Sequence, residues 1–411
     1  MQPTRQPLRI VHAVASLAEA SGGPPRSVVG LGERLGALGC RVDIVTLDNS
    51  RYFGPEVPHD PMLVTVHRVP SYYFKPLRLI HAPAFGRELQ RVAVGADLIH
   101  VHGIWLPVNH TAALVARRLC LPYIISVRGN FHTAALASAA WKKKLARRFF
   151  VNADVQDAAC LHATSTDEAK MIRQLGFTNP IAVLPAGVST PTHSADELRR
   201  LFAHAWPDLL DKRVLLFLGR IHPYKGILYL AESWAKIAHH HPDWHLVVAG
   251  VDENDTRKSV AILLDAAGAA KTCTFTGPVS GLNKWALIAN CGLLVLPSRS
   301  ENFGHSVAEA LAMGRPALTT NTTPWADLEK FDCGWRIPVG ADALSKKLPQ
   351  VLSMSRAELD KMGANGANLI RTRYEATGVA DEMLAVYQWS ANRQYECPSC
   401  ISAPTMDYAN G

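Results

Sequence analysis

The stretch Glu301-Asn302-Phe303-Gly304-His305-Ser306-Val307-Ala308-Glu309 puts two carboxylates around a turn that opens a helix. Before it, Gly292-Leu293-Leu294-Val295-Leu296-Pro297-Ser298 reads as a buried strand; after it, residues 306–313 read as a helix closed by Gly314 and followed by Pro316. Glu301 therefore falls in the loop and Glu309 at least one turn inside the helix. Helix rise gives about five residues a length of roughly 7 to 8 Å. A helix N-terminus offers free N–H groups and the positive end of a dipole, so a diphosphate lying there would be bracketed by carboxylates that accept hydrogen bonds from sugar hydroxyls. Taken alone, the same residues also describe a capped surface helix with two solvated acids.

Two further segments carry the same chemistry. Val214-Leu215-Leu216-Phe217-Leu218-Gly219 reads as a buried strand ending in Arg220, and Lys225-Gly226 follows after Ile-His-Pro-Tyr. A strand end and a Gly-opened helix set two cations where a departing phosphate gathers charge. Near the start of the chain, residues 8–14 read as a strand, and Ser21-Gly22-Gly23-Pro24-Pro25-Arg26 is a turn before a helical stretch over residues 27–38. Gly22 and Gly23 let backbone amides approach a ligand after a first strand, the place where open α/β sheets bind ligands.

Two Glu flanking seven residues, with Asn-Phe-Gly behind the first and Ala-Leu-Ala-Met-Gly-Arg-Pro behind the second, resemble the donor-site signature of the retaining glycosyltransferases of family 4, the glycosyl transferases of group 1. Arg220 and Lys225-Gly226 resemble that family's Gly-Arg to Lys-Gly element, and Gly22-Gly23 its amino-terminal glycine loop. The resemblance implies the glycosyltransferase B fold (GT-B): α/β, with two Rossmann-like doubly wound parallel-sheet domains facing across a cleft. It implies transfer with retention at the anomeric carbon, the departing phosphate helping to remove the acceptor's proton. Arg220, Lys225 and the helix after Gly304 would stabilise the leaving group. Glu301 would hold the donor sugar and Glu309 the ribose, with the amides near Asn302, Phe303 and Gly304 orienting the sugar ring. The donor is a nucleotide sugar, UDP- or GDP-linked, and no cofactor is implied. No Asp-x-Asp occurs in the chain, so the expectation is a metal-independent enzyme.

With 411 residues and 48% hydrophobic content, the chain has material for two ordinary cores. Short apolar runs alternate with helical stretches through both halves, over residues 42–47, 98–101, 123–127, 181–184, 245–250, 273–277 and 317–320. That alternation indicates parallel sheets covered by helices on both faces. The expected division is an acceptor-side domain over residues 1–190, a donor-binding domain over 191–375, a helix over 376–391 that crosses back to the first domain, and a tail over 392–411 that is loose from Cys397 onward. His12 and Glu19 interrupt the apolar stretch near the start, which reads as a first strand rather than an export signal. No apolar run reaches eighteen residues.

The first domain carries the acceptor-side candidates. His100-Val101-His102-Gly103 ends one strand, and Ser126-Val127-Arg128-Gly129-Asn130-Phe131-His132 ends the next. Many relatives have His-Gly after that second strand; here Arg128-Gly129 stands in its place, resembling an Arg-Gly subgroup. His102 and His132 are candidates to approach the acceptor, with a hydrogen-bonded structural histidine the competing reading for His102, and Arg128 to hold a phosphate or an acidic sugar.

A formal charge of +8 and a pI near 9.1 favour anionic partners. No nucleic-acid module is present, and nucleic acid is not expected as a partner. The charge gathers at Trp141-Lys142-Lys143-Lys144-Leu145-Ala146-Arg147-Arg148-Phe149-Phe150, which fits either an interfacial helix on an anionic leaflet or a solvated face with its Trp and Phe buried. Cysteines such as Cys120, Cys160 and Cys291 sit in apolar stretches and read as small buried residues of a reduced compartment. The expectation is a cytoplasmic enzyme, peripheral on the inner membrane face, that adds a sugar to a glycan or polyprenyl-linked acceptor in cell-surface polysaccharide synthesis. A nucleotide-sugar epimerase on the same scaffold is the alternative. A glycoside hydrolase would not need the glycine loop or the cation pair, and the complete set of Glu301, Glu309, Arg220 and Lys225 argues against a noncatalytic binding protein.

Overall fold

Val214 to Leu218 contains no polar residue to alternate with, and all five side chains are buried, the condition of a strand covered on both faces of a parallel sheet. The computed structural model describes residues 7–74, 79–132, 135–136 and 139–402. They form two compact units, residues 1–187 together with 376–411, and residues 188–375.

In the first unit, β1 (Arg9–Val14), β2 (Arg41–Asp48) and β3 (Val64–Pro70) are followed by a small antiparallel pair, β4 (Tyr72–Phe74) and β5 (Leu79–His81), then by β6 (Leu98–His102), β7 (Tyr123–Ser126), β8 (Cys160–Ala163) and β9 (Ile181–Val183). The main sheet runs β9-β8-β7-β6-β1-β2-β3, all parallel. Its strand order reverses between β1 and β6. One face is covered by a core containing Phe85, Leu89, Val101 and Phe131, the other by one containing Val28, Leu35, Leu384 and Tyr387. The last two residues belong to the helix Ala376–Ala391.

The second unit holds β10 (Arg213–Leu218), β11 (Trp244–Ala249), β12 (Cys273–Gly277), β13 (Cys291–Leu296), β14 (Ala317–Thr320) and β15 (Gly334–Ile337). They lie in the order β12-β11-β10-β13-β14-β15, all parallel. This is the doubly wound dinucleotide-binding order, whose ligand crevice opens beyond the carboxyl ends of the two strands at the reversal, here β10 and β13. Trp234, Trp244 and Trp325 are fully buried in this unit.

Two expectations need correction. The tail is not loose from its start: β16 (Ile401–Ser402) pairs antiparallel with β9, and Val183 N donates to Cys400 O at 2.9 Å. The outer edge of β9 would otherwise present unpaired backbone groups, which the tail satisfies; residues 403–411 lie outside the described residues. Cys120 is exposed rather than buried. It sits past the end of the helix Pro107–Arg118 with φ +53°, the left-handed conformation that ends helices. Among the described residues no helix is long and apolar enough to cross a membrane.

Candidate active site

In the second unit the loops that leave β10 and β13 touch. Gly226 has φ +71°, and a Cβ there would lie 1.9 Å from the carbonyl oxygen of Pro297. Only glycine satisfies both the left-handed backbone and that approach. The contact brings Lys225, at the end of a 3-10 turn (Pro223–Lys225), against the loop after β13. Lys225 Nζ donates to Glu301 Oε1 at 2.6 Å, and Ser298 Oγ donates to the same oxygen at 2.6 Å. Glu301 Oε2 has no hydrogen bond among the described residues. A carboxylate fixed by two donors on one oxygen has its other oxygen positioned to accept from a hydroxyl.

The helix His305–Ala312 begins at Gly304, whose φ is +81°. Phe303 is buried against Trp325, and Trp325 Nε1 donates to Phe303 O at 2.5 Å. This anchors the turn that carries Asn302, Phe303 and Gly304. One turn into the helix, Glu309 Oε1 accepts from Lys284 Nζ at 2.7 Å, with side chains only 13% and 9% exposed. Arg220 follows β10 and donates through Nη1 to both carboxylate oxygens of Glu253 at 3.1 Å, leaving Nε and Nη2 without a hydrogen bond among the described residues. Every donor-side candidate of this unit thus stands at or beyond the carboxyl ends of β10 and β13. Lys284 and Ser298 were not singled out in the sequence.

In the first unit the corresponding reversal carries the acceptor-side candidates. Gly22 (φ +88°) precedes the helix Gly23–Ala37, and Ser27 in its first turns accepts from Arg128 Nη1 at 2.7 Å while donating to Pro24 O. Arg128 itself has φ +53° and Gly129 φ +74°. The buried Glu168 holds this turn: Oε1 accepts from Gly129 N at 2.5 Å, and Oε2 from Thr164 N and Oγ1 at 2.7 and 3.0 Å. His132 lies in the turn after Phe131, with its backbone N bonded to Gly129 O.

His102 is buried, and both its ring nitrogens are engaged. A guanidinium only donates, so His102 Nδ1 accepts from Arg128 Nη2 at 3.2 Å. His102 Nε2 must then carry the proton and donate to His12 Nδ1 at 2.9 Å. A second chain crosses the same face of the sheet. Leu184 O accepts from His162 Nε2 at 2.9 Å, so His162 Nδ1 accepts from Ser126 Oγ at 2.6 Å. Ser126 Oγ then accepts from His100 Nε2 at 2.7 Å, and Tyr387 donates to His100 Nδ1 at 2.6 Å. Burial pushes His12 down to about 3 and His162 to about 4, with the Arg128 charge adding to both. His100 and His102 are also lowered well below the usual range, by burial first and by neighbouring histidines and Arg128 after it. Burial lowers Arg128 to about 10. His12, His100 and His102 come close enough to share a metal ion, but the guanidinium on His102 opposes a further cation there. His12, Ser126, His162, Glu168 and Tyr387 were missed. The period-two pair His100 and His102 in a buried strand was the available signal.

The segment over residues 141–150 forms the helix Ala140–Ala146 and a π turn (Arg147–Val151). Trp141, Leu145 and Phe149 recur every four residues and are 69%, 52% and 73% exposed, while Lys142, Lys144 and Arg148 are exposed beside them. The reading with a buried Trp fails.

Comparison with known proteins agrees with this geometry. Residues 203–369 match the family model "Glycosyl transferases group 1", and residues 22–187 match "Glycosyl transferase 4-like domain". The alpha-D-kanosaminyltransferase of Streptomyces kanamyceticus is 29% identical over 47% of this chain, which spans 50% of that protein. The GDP-mannose:cellobiosyl-diphosphopolyprenol alpha-mannosyltransferase of Komagataeibacter xylinus is 23% identical over 93% of both chains. The solved structure of Anabaena HepE in complex with UDP and glucose superposes with a TM-score of 0.73 at 15% identity, covering 93% of this chain and 99% of that one. The chain therefore belongs to the family 4 (group 1) glycosyltransferases and has the glycosyltransferase B fold.

Proposed function

We propose that the protein is a retaining, metal-independent hexosyltransferase that moves a sugar from a UDP- or GDP-linked donor to a polyprenyl-linked glycan during cell-surface polysaccharide synthesis, whether lipopolysaccharide or exopolysaccharide. The observation that carries the reading is the Lys225–Glu301–Ser298 cluster beside the Lys284–Glu309 pair at the strand reversal of the second unit. Glu301 Oε2 accepts from a donor-sugar hydroxyl, Glu309 from the ribose, and the N–H groups at Asn302, Phe303 and Gly304 orient the ring. The bond between the anomeric carbon and the phosphate oxygen breaks, and the acceptor oxygen bonds to the same face. The acceptor proton passes to the departing phosphate. Lys225, Arg220 and the N-terminus of the helix His305–Ala312 stabilise the charge that collects on that phosphate. The names of two similar proteins support a nucleotide-sugar donor and a diphosphopolyprenol acceptor: HepE was solved with UDP and glucose, and the Komagataeibacter enzyme uses GDP-mannose. The exposed Trp141, Leu145 and Phe149, flanked by cations, support docking on an anionic membrane surface.

The test is calorimetric titration of UDP-, GDP- and ADP-sugars without added metal. One nucleotide class should bind the wild type and bind Lys225→Ala and Glu309→Ala about tenfold or more weakly, the loss of one charge-assisted contact. Product made from an α-linked donor should be α-linked by NMR. Donor conversion with no acceptor present would instead identify an epimerase.

A further inference from the structure

The cations of the second unit are not confined to its catalytic crevice. At the opposite edge of the same sheet, β10 opens at Arg213, β13 opens at Cys291, and Arg315 stands two residues before β14. The surface there is hollowed into a cavity of about 120 Å³, walled by Arg199, Lys212, Arg213, Arg315 and Arg356, with Asp360 the one carboxylate among them. Strand β10 is six residues long, and at about 3.3 Å per residue the cavity lies roughly 20 Å from the carboxyl ends that carry Arg220 and Glu301. It is a separate place, not an extension of the donor site.

The charge in this hollow is not balanced from within. Asp360 serves two arginines, Arg315 at 3.3 Å and Arg356 at 3.8 Å, and is itself half exposed. Lys212 donates to the carbonyl of Pro242, and Arg213 to those of Leu352 and Met354, with the exposed Asp243 3.7 Å away from Arg213. Arg199, on the helix Ala195–Ala205, has no hydrogen bond or ion pair among the described residues. The Cys291 thiol adds no negative charge, since burial pushes it up to about 12. Five cations therefore meet two carboxylates.

A second observation does not depend on that count. Arg315 Nε is buried and has no hydrogen-bond partner among the described residues, and a buried N–H of a charged group is costly to leave unpaired. The floor between the cations is apolar, with Phe202, Leu209 and Leu359 buried. Low-dielectric walls around charges of one sign focus their field into the hollow. The space holds several water molecules, and so a group of phosphoryl size.

We propose that this cavity is a second anion site, for a phosphomonoester or diphosphate group that supplies the counter-charge and the acceptor oxygens the fold leaves out. The guanidinium forks of Arg199, Arg315 and Arg356 suit phosphate oxygens taken in pairs. Two sources share that chemistry, a soluble phosphate ester and the headgroup of an anionic lipid. The site stands independently of the glycosyl-transfer reading, because none of its residues belongs to the donor or acceptor candidates.

The experiment titrates the full chain with inorganic phosphate and pyrophosphate by calorimetry, and sediments it with vesicles of phosphatidic acid or phosphatidylserine at equal surface charge. Lys225→Ala, weakened at the donor site, serves as the background that isolates the second site. Pyrophosphate should still bind there, and adding Arg199→Gln with Arg315→Gln should weaken it about tenfold or more, the loss of charge-assisted contacts. Pyrophosphate binding that depends on the two arginines assigns the site to a soluble phosphate. A preference for phosphatidic acid that the same two arginines carry, without soluble binding, assigns it to a lipid headgroup. A folded arginine variant with unchanged affinity and unchanged vesicle preference overturns the proposal, as does the absence of both kinds of binding in the Lys225→Ala background. If the double arginine variant does not fold, Arg199→Glu takes its place, an exposed residue with no partner to lose. Reversing its charge should weaken the same binding about tenfold, and unchanged binding by that variant overturns the proposal equally.

Discussion

Glu309 and Lys284 show how much one pair of side chains decides in this site. Both are nearly buried, so neither charge is well solvated without the other. Lys284→Met leaves a carboxylate stranded, and removing one partner of such a pair costs about 3 kcal/mol or more. Urea unfolding should show that loss, and Lys284→Met with Glu309→Leu should recover much of it while nucleotide binding stays about tenfold or more weaker than that of the wild type. Equal stability of the single variant and wild type would mean that the pair is solvated. Gly226 sits at the other extreme, a residue whose value is having no side chain. Gly226→Ala adds the left-handed penalty of roughly 1–2 kcal/mol to a clash with Pro297 O. The loops should part, so that Lys225 no longer reaches Glu301. A lower melting temperature together with weaker nucleotide binding is the expected result, and an unchanged melt would mean that the close approach of the two loops is not what requires glycine there.

Among elements, the strands that announced themselves in the sequence are those buried on both faces, such as β10 and β13, where an unbroken apolar run leaves little else to read. Those that escaped are edge or short strands. β3 alternates polar residues and ends in Pro70, β15 holds an edge with Trp335 and Arg336, β8 is four residues with His162 inside it, and β16 has two residues. The site divides in the same way. Glu301, Glu309, Arg220 and Lys225 were legible because loop and helix-start chemistry is local in sequence. Lys284 was not, since helix packing alone brings the preceding helix Gly281–Asn290 to Glu309. The helix Ala140–Ala146 carries a prediction of its own. Trp141, Leu145 and Phe149 are exposed, so replacing all three with Ser should leave the melting temperature where it is. The variant should nevertheless fail to co-sediment with anionic vesicles that retain the wild type, because the apolar contribution to interfacial binding is gone. Raising the salt should weaken the wild type by screening Lys142, Lys144 and Arg148, each worth about 1 kcal/mol near an anionic surface. A wild type that ignores anionic vesicles at moderate salt would end the membrane reading.

The whole molecule responds to acid through its first unit. His12, His100, His102 and His162 are neutral and buried there, and their folded-state pKa values lie below the value near 6.5 that each has in an unfolded chain. Above about pH 7 neither state binds protons at these rings, and they add no pH dependence. Below about pH 6.5 the unfolded chain takes up protons that the folded one refuses. Stability then falls as pH falls, for His162 until about pH 4 and for His12 until about pH 3. Each ring contributes about 1.4 kcal/mol per pH unit in its window, so the four together reach roughly 5 kcal/mol per unit. Against a typical domain stability of about 5–15 kcal/mol, one to three units suffice to exhaust it. In the second unit the histidines with lowered values, His241 and His245, are only partly buried. The first unit should therefore unfold at a higher pH than the second. Trp234, Trp244 and Trp325 are buried in the second unit and report on it by fluorescence, whereas far-UV circular dichroism reports on both. An acid titration should show a first loss of ellipticity between about pH 5 and 4 with the buried-tryptophan signal retained. Stability of the first unit that stays flat from about pH 7 to about pH 5 would refute the neutral histidine chain. His162→Asn, which removes one titrating ring, should reduce the slope by about a quarter, a readout that simple destabilisation of the fold would not produce.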